Sequence, residues 1–333
     1  MRLLTLSVVL CACAVSAQTP DPDEVDASQA WRRPLASRNQ TPLALFFVSM
    51  TPDHALCLRQ GDLDLDIALD YSNIIQEERT DHEFLHFDLE YLRTLISLKR
   101  GFGHGLEMGF EVPFYIYYGG FLDPFVNGLH QSLGLPNALR GTTPFGLVSY
   151  QFLHGEEPVF AGEGSLGSVG EPTLRVKKSL YEGELYSFAV RGAFKLPTGA
   201  PQELSGSGAS DFGLGVAFDR IGPKHAFYLN ASYHFLGTPE RFETRDVFSF
   251  MAGADWRFKP RVAAVLQVDY MTPPVRGEVL DLNDPGIQVA LGLRYRHSDG
   301  FAYEWRFVED LSRFSPDFTF AFQIEVRSKG VGR

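Results

Sequence analysis

The chain has 333 residues, with 30 Lys plus Arg against 41 Asp plus Glu and a formal net charge of −11. That acidity excludes a nucleic-acid partner, which needs a basic face. No stretch beyond residue 17 carries the ~20 consecutive apolar residues of a membrane helix, so a membrane location implies a closed sheet, the other fold that satisfies every backbone group in lipid.

Met1 and Arg2 give a short positive start, and residues 3–14 are apolar apart from Thr5 and Ser7. Val15-Ser16-Ala17 then places small or modest side chains where a signal peptidase reads, so a cleaved secretory signal over residues 1–17 is expected. The competing reading is a lipobox, Leu10-Cys11-Ala12-Cys13, with Cys13 acylated. Cleavage after Ala17 removes Cys11 and Cys13 and leaves Cys57 alone, with no intramolecular disulfide and no catalytic part for it. Residues 18–61 stand outside any strand pattern. Their apolar run, Leu43 to Val48, reads as an extra edge strand or a plug inside a lumen.

From residue 62 to residue 327 the chain alternates as strands do. Leu63, Leu65, Ile67, Leu69 and Tyr71 oppose Asp62, Asp64, Asp66 and Asp70; Met108, Phe110, Val112 and Phe114 oppose Glu107 and Glu111. Phe188, Val190 and Phe194 oppose Arg191 and Lys195, and Leu291, Leu293 and Tyr295 oppose Arg294 and Arg296. Trp305 and Phe307 oppose Glu304 and Arg306, and an aromatic last strand, 318–326, closes the series ahead of a tail, 328–333. Short turns at 99–104, 182–184, 221–224, 259–261 and 298–300 alternate with long connections at 72–82, 119–144, 198–210, 237–245, 273–284 and 311–316. That rhythm is the transmembrane antiparallel up-and-down β-barrel, all-β, with about fourteen strands, or twelve if the weak segment at 158–162 is discounted. Residues 121–135 carry apolar residues at helical spacing and read as a short helix in the longest outer loop.

Several motifs resemble a family of Gram-negative outer-membrane proteins catalogued as a domain of unknown function. They are Arg38-Asn39-Gln40 with Pro42, Gly119-Gly120-Phe121-Leu122-Asp123, Gly134-Leu135-Pro136-Asn137, Lys195-Leu196-Pro197-Thr198-Gly199, Gly206-Ser207-Gly208 with Asp211, Glu309-Asp310 and Ser315-Pro316-Asp317. The resemblance spans residues 34–326 and implies a barrel in the outer membrane; it brings no activity and no catalytic residues.

The chemistry is read from the polar face. Ser232 and His234 share a strand face but lie ~6–7 Å apart at i and i+2, too far for a nucleophile–base pair, so no enzyme is expected. Asp62, Asp64 and Asp66 lack the glycine and terminal glutamate of a calcium loop, the histidines show no metal spacing, and no cofactor is expected. The candidate lumen lining is Asp64, Asp66, Asp70, Asp88, Glu90, Glu107, Glu111, Arg175, Lys177, Arg191, Lys195, Asp255, Asp269, Arg294, Arg296, Glu304 and Arg306. Acid on the early strands and base on later ones implies opposed sectors of a passive or plugged channel for a small, unnamed solute. The alternatives are a structural or adhesive envelope barrel, and uptake of apolar small molecules with residues 18–61 as a hatch. Expected partners are outer-membrane lipid and, during insertion, the barrel assembly machinery.

Overall fold

The computed structural model describes residues 31–124, 127–128, 144–155, 157–279, 282–316 and 318–330. The expected signal lies outside these residues, as does most of the expected helix at 121–135. The strands are β1 (Leu63–Arg79), β2 (Glu83–Gly103), β3 (Leu106–Tyr118), β4 (Ser149–His154), β5 (Glu157–Glu163), β6 (Leu166–Val169), β7 (Thr173–Glu182), β8 (Tyr186–Lys195), β9 (Asp211–Ile221), β10 (His225–Phe235), β11 (Val247–Lys259), β12 (Val262–Met271), β13 (Gly286–Ser298), β14 (Phe301–Asp310) and β15 (Phe318–Ser328).

Twelve of these close the wall, the smaller of the two numbers that the sequence allows. β1 to β3 and β7 to β15 pair antiparallel in turn, and β15 returns to β1. The weak segment at 158–162 is β5, which pairs with β4 beyond the wall; β4 extends the outer end of β2 and β6 the outer end of β3. The expected long connection at 72–82 is instead strand: β1 and β2 stay in register up to Arg79 opposite Phe84, leaving a tight turn at 80–82. This hairpin rises past the lipid belt, so its two faces no longer alternate between oil and water and the periodic signal fades.

The exterior is apolar. Leu98, Met108, Leu214, Leu266 and Leu291 lie exposed on it, and aromatic residues cluster at both rims: Phe102, Tyr186 and Trp256 by the short turns, Tyr233, Phe248 and Phe320 towards the long loops. Such a surface is stable only against hydrocarbon, and a barrel crosses it with no unpaired strand edge. Among the described residues no helix is long and apolar enough to cross a membrane.

Candidate functional site

The lumen is occupied by the chain's own N-terminal segment. Residues 31–61 enter beside β11 and β12, climb to a short helix α1 (Pro42–Leu45), and descend past β9, β10 and β7 into β1. Most of this path has no regular structure, so its amides need partners from elsewhere. Wall side chains supply them. The N–H of Leu35 donates to Gln267 (2.9 Å), Ala36 to Glu304 (3.3 Å), Val48 to Asp211 (2.8 Å) and Met50 to His234 Nε2 (3.3 Å). Asp53 donates to Asn230 (2.9 Å), Ala55 to Asp219 (2.6 Å), Cys57 to Glu182 (3.4 Å) and Leu58 to Glu107 (3.0 Å). The wall also makes room: a Cβ on Gly292 of β13 would stand 2.3 Å from Leu35 Cδ2, and one on Gly215 of β9 would stand 2.8 Å from Met50 Sδ.

Below the helix the interior is charged and closely paired. On the β13–β2 side, Arg33 of the plug reaches Asp66 (2.6 Å) and Glu325 (3.2 Å), with Asp64 at 3.9 Å. Lys99 joins Asp66 (2.9 Å), and Arg327 joins Asp64 (3.2 Å). Arg93 (2.5 Å) and Arg306 both bind Asp70, and Arg294 bridges Glu304 (2.5 Å) and Glu325 (2.8 Å). On the other side Arg175 pairs with Glu111 (2.6 Å), and Lys177 with Asp53 (2.9 Å) and Glu107 (3.2 Å). Arg32 of the plug takes Asp255, which also accepts from Tyr228. Asp269 accepts from Ser37 Oγ (2.5 Å) and Gln267, and half-buried Arg296 lies over the Trp31 ring at 5.5 Å.

Two of the expected lining residues are elsewhere. Asp88 and Glu90 have the parity of β2's outward face, opposite to Arg93, Ser97 and Lys99, and the β1–β2 register contains no bulge that could invert it. Glu90 is buried on that outer face, under residues 120–123. It accepts from Tyr71 Oη, from Asn73 (3.3 Å) and from the N–H groups of Phe121 (3.0 Å), Leu122 (2.6 Å) and Asp123 (3.1 Å). Gly120 has φ +62°, and a Cβ there would fall 1.9 Å from Glu90 Oε2, so glycine is required. The reason for the inversion is the plug: Leu85, Phe87, Leu89 and Tyr91 turn inward because the outer lumen is filled by Leu43, Leu45 and Phe46 instead of water. The opposed sectors also give way. The acids of β3 and the bases of β7 are neighbours, with Glu107 directly opposite Lys177.

That outer apolar cluster is the seal. It gathers plug residues 43–47 with Tyr115, Tyr117, Phe152 and Phe160, and with loop residues Leu204, Val279, Leu282 and Phe314. Lys195 fixes it from below, donating to the Phe46 carbonyl (2.7 Å), Ser207 Oγ (2.8 Å) and Asp211 (3.0 Å), and to Glu171. Glu171 also accepts from the N–H of Gly199 (3.1 Å), Ser207 (3.2 Å) and Gly208 (2.9 Å), folding loop 196–210 into the mouth. Tyr117 Oη donates to the Leu204 carbonyl there (2.8 Å). Asn39 donates to the Phe314 carbonyl (2.5 Å), tying the plug to the last outer loop.

The residues that sequence reasoning passed over are Arg32, Arg33, Arg93, Lys99, Glu171, Asp219 and Arg327, all largely buried in the interior. Arg93 and Lys99 were legible: Ile96 and Leu98 fix the lipid face of β2, and the arginine and lysine have the other parity. Arg32 and Arg33 carry no periodic signal.

Cavities of about 60 and 50 Å³ lie beside the plug, with Met50 and Pro52 lining both. Each has room for roughly three to five waters. Cys57 is a packed thiol, pushed up to about 12 by burial. Ser232 and His234 are both buried, and His234 Nε2 is taken by the plug amide of Met50. Among the described residues no cluster of three potential metal ligands occurs.

This architecture has relatives. Residues 4–327 match the family model described as protein of unknown function DUF3187. The chain belongs to that family. No curated protein matches it. Among solved structures, an outer-membrane channel from Pseudomonas putida F1 is similar, with 13% identity, 84% of this chain and 100% of the other covered, and a TM-score of 0.56. The likeness establishes the outer-membrane barrel fold. The KdgM porin (10% identity, 80% and 98% covered, TM-score 0.41) and the toluene transporter TodX of P. putida (11%, 80% and 87%, 0.34) are more distant and carry no weight here.

Proposed function

We propose that this DUF3187 protein is an outer-membrane channel for small solutes, closed at rest by its own N-terminal segment. It reaches the membrane after cleavage of residues 1–17 and insertion by the barrel assembly machinery. One observation carries the reading: eight amides of an irregular segment are held by side chains of the wall. A solid structural barrel would fill its lumen with wall side chains, as eight-stranded barrels do. Here twelve strands enclose a separate piece of chain, held by polar contacts that can be exchanged for water.

The permeant is polar, because the path beneath the seal is lined by ion pairs, and an apolar solute would have to cross them. Ser232 and His234 do not form a nucleophile–base pair, since His234 Nε2 accepts from the Met50 amide. The test is planar-bilayer conductance of the full mature chain beside a variant in which residues 34–58 are replaced by a short Gly-Ser linker. The intact protein is expected to be silent or to flicker, and the variant to show large steady steps. A folded, inserted variant no more conductive than the parent would refute the reading.

A further inference from the structure

Nearly every cation around the larger cavity meets a carboxylate: Arg33 and Lys99 meet Asp66, Arg175 meets Glu111, and Lys177 meets Asp53 and Glu107. Arg191 does not. Its side chain is buried to 9% exposure on β8, and its hydrogen bonds go to uncharged oxygens, Asn230 Oδ1 at 2.8 Å and the Thr51 carbonyl at 2.6 Å. A guanidinium has five N–H donors, so most of Arg191's capacity is unspent among the described residues. Of the five cations lining the cavity, Arg191 is the one that makes no ion pair with a carboxylate among the described residues. Arg175 lines the same space, and its Nε–H is buried without an acceptor.

The two arginines are diagonal neighbours on paired strands, since Lys177 stands opposite Arg191 and Arg175 opposite Ala193. That puts the two residues ~7–8 Å apart along one face of the sheet, both bordering the same cavity. They also hold the same stretch of plug: Arg175 donates to the Ser49 carbonyl (2.7 Å) and Arg191 to the Thr51 carbonyl. An unpaired buried guanidinium is costly, and the planar fork suits a carboxylate better than any other small partner.

We propose that this cavity is a binding site for a small carboxylate of three or four heavy atoms, held by Arg191 with Arg175 beside it. The proposal rests on the plugged-channel reading and names its solute class. It also supplies a trigger. A carboxylate is a stronger acceptor than a peptide carbonyl, so binding draws both guanidiniums off Ser49 and Thr51 and loosens the descending arm of the plug.

The test uses crystals of the refolded full mature chain soaked in sodium bromide, with bromide located by its anomalous scattering. A peak within hydrogen-bond reach of Arg191 is expected, fading when sodium acetate is added. Arg191→Gln should weaken acetate competition ~10- to 100-fold, the worth of one charged hydrogen bond, while Arg191→Lys, which keeps the charge and guards against a folding defect, should retain the peak. Absence of bromide from the cavity, or a peak indifferent to acetate and to Arg191→Gln, would overturn the proposal. A barrel that binds bromide there but never conducts refutes the channel and leaves the site standing. One that conducts without binding bromide does the reverse.

Discussion

Gly292 offers a direct way to push on the plug without touching a charge. The added Cβ of Gly292→Ala would lie 2.3 Å from Leu35 Cδ2 and 2.9 Å from Cδ1. Ordinary carbon contacts need about 3.5 Å, so Leu35 must retreat by about 1.2 Å. It has little room, being fully buried against Val265, Ala290 and Val308, with its own amide held by Gln267. Overpacking of this kind costs ~1–3 kcal/mol. The wall strand stays intact, so the cost falls on the plugged state and shifts the closed-to-open ratio ~5- to 150-fold. The readout is open probability in a planar bilayer, with heat-modifiable gel mobility confirming that the barrel is folded. Leu35→Ala alone should also open the channel, through the void it leaves. The double variant removes the clash and returns one of the three carbons lost, so it should gate nearer to the parent than the two effects combined predict, a coupling of ~0.5–3 kcal/mol. Strict additivity, or unchanged gating in Gly292→Ala, would show that the plug's seat is not what keeps the channel shut.

Glu171→Gln breaks a buried pair with Lys195, but Asp211 stays to hold the lysine; loop 196–210 should loosen by ~1–3 kcal/mol, read as faster limited proteolysis there with the barrel core still resistant. Glu90→Ala strips three loop amides of their acceptor, so residues 120–123 should lose hydrogen-exchange protection while β2 keeps its own, and equal loss in both would contradict a purely local anchor. The contact between Glu278 and His82 joins loop 272–285 to the tip of the β1–β2 hairpin, and the hydrogen bond from His82 holds the Glu278 carboxyl below its ordinary value. A depressed carboxyl stabilises above its unfolded pKa and ceases to do so as pH falls through the folded one. Loop protection, corrected for intrinsic exchange, should therefore drop on acidification, and Glu278→Gln should abolish that response.

The barrel was legible because lipid enforces the two-residue period wherever a strand crosses it, as in 62–71 and 286–297. Legibility stopped where lipid or water stopped. Residues 83–91 have an apolar inward face because they meet the plug, and pattern alone then assigns Asp88 and Glu90 to the wrong side. Arg33 and Arg38 sit in a segment whose conformation is set by the wall, so no local period announces them. Among the residues quoted for the resemblance, Asn39, Lys195, Ser207 and Asp211 each hold the plug or loop 196–210, and Gly120 lets loop 120–123 close over Glu90 on the outer face of β2.

The seam between the first and last strands carries a like-charge cost that the plug helps to offset, beside Lys99, Arg294 and Arg327 of the wall. Asp66 of β1 stands directly opposite Glu325 of β15, with Asp64 one pleat away. Like charges in that position oppose pairing, and this is the pairing that must form last for a sheet to become a cylinder. Arg33 binds both carboxylates and is only 33 residues from Asp66 in the chain. In the closed barrel the seam and the plug therefore share one set of ion pairs, and the cylinder is closed around an arginine. Loss of the plug arginine should be felt at the seam as well as in the lumen: an Arg33→Ala barrel is expected to lose hydrogen-exchange protection along β1 and β15 before its other strands.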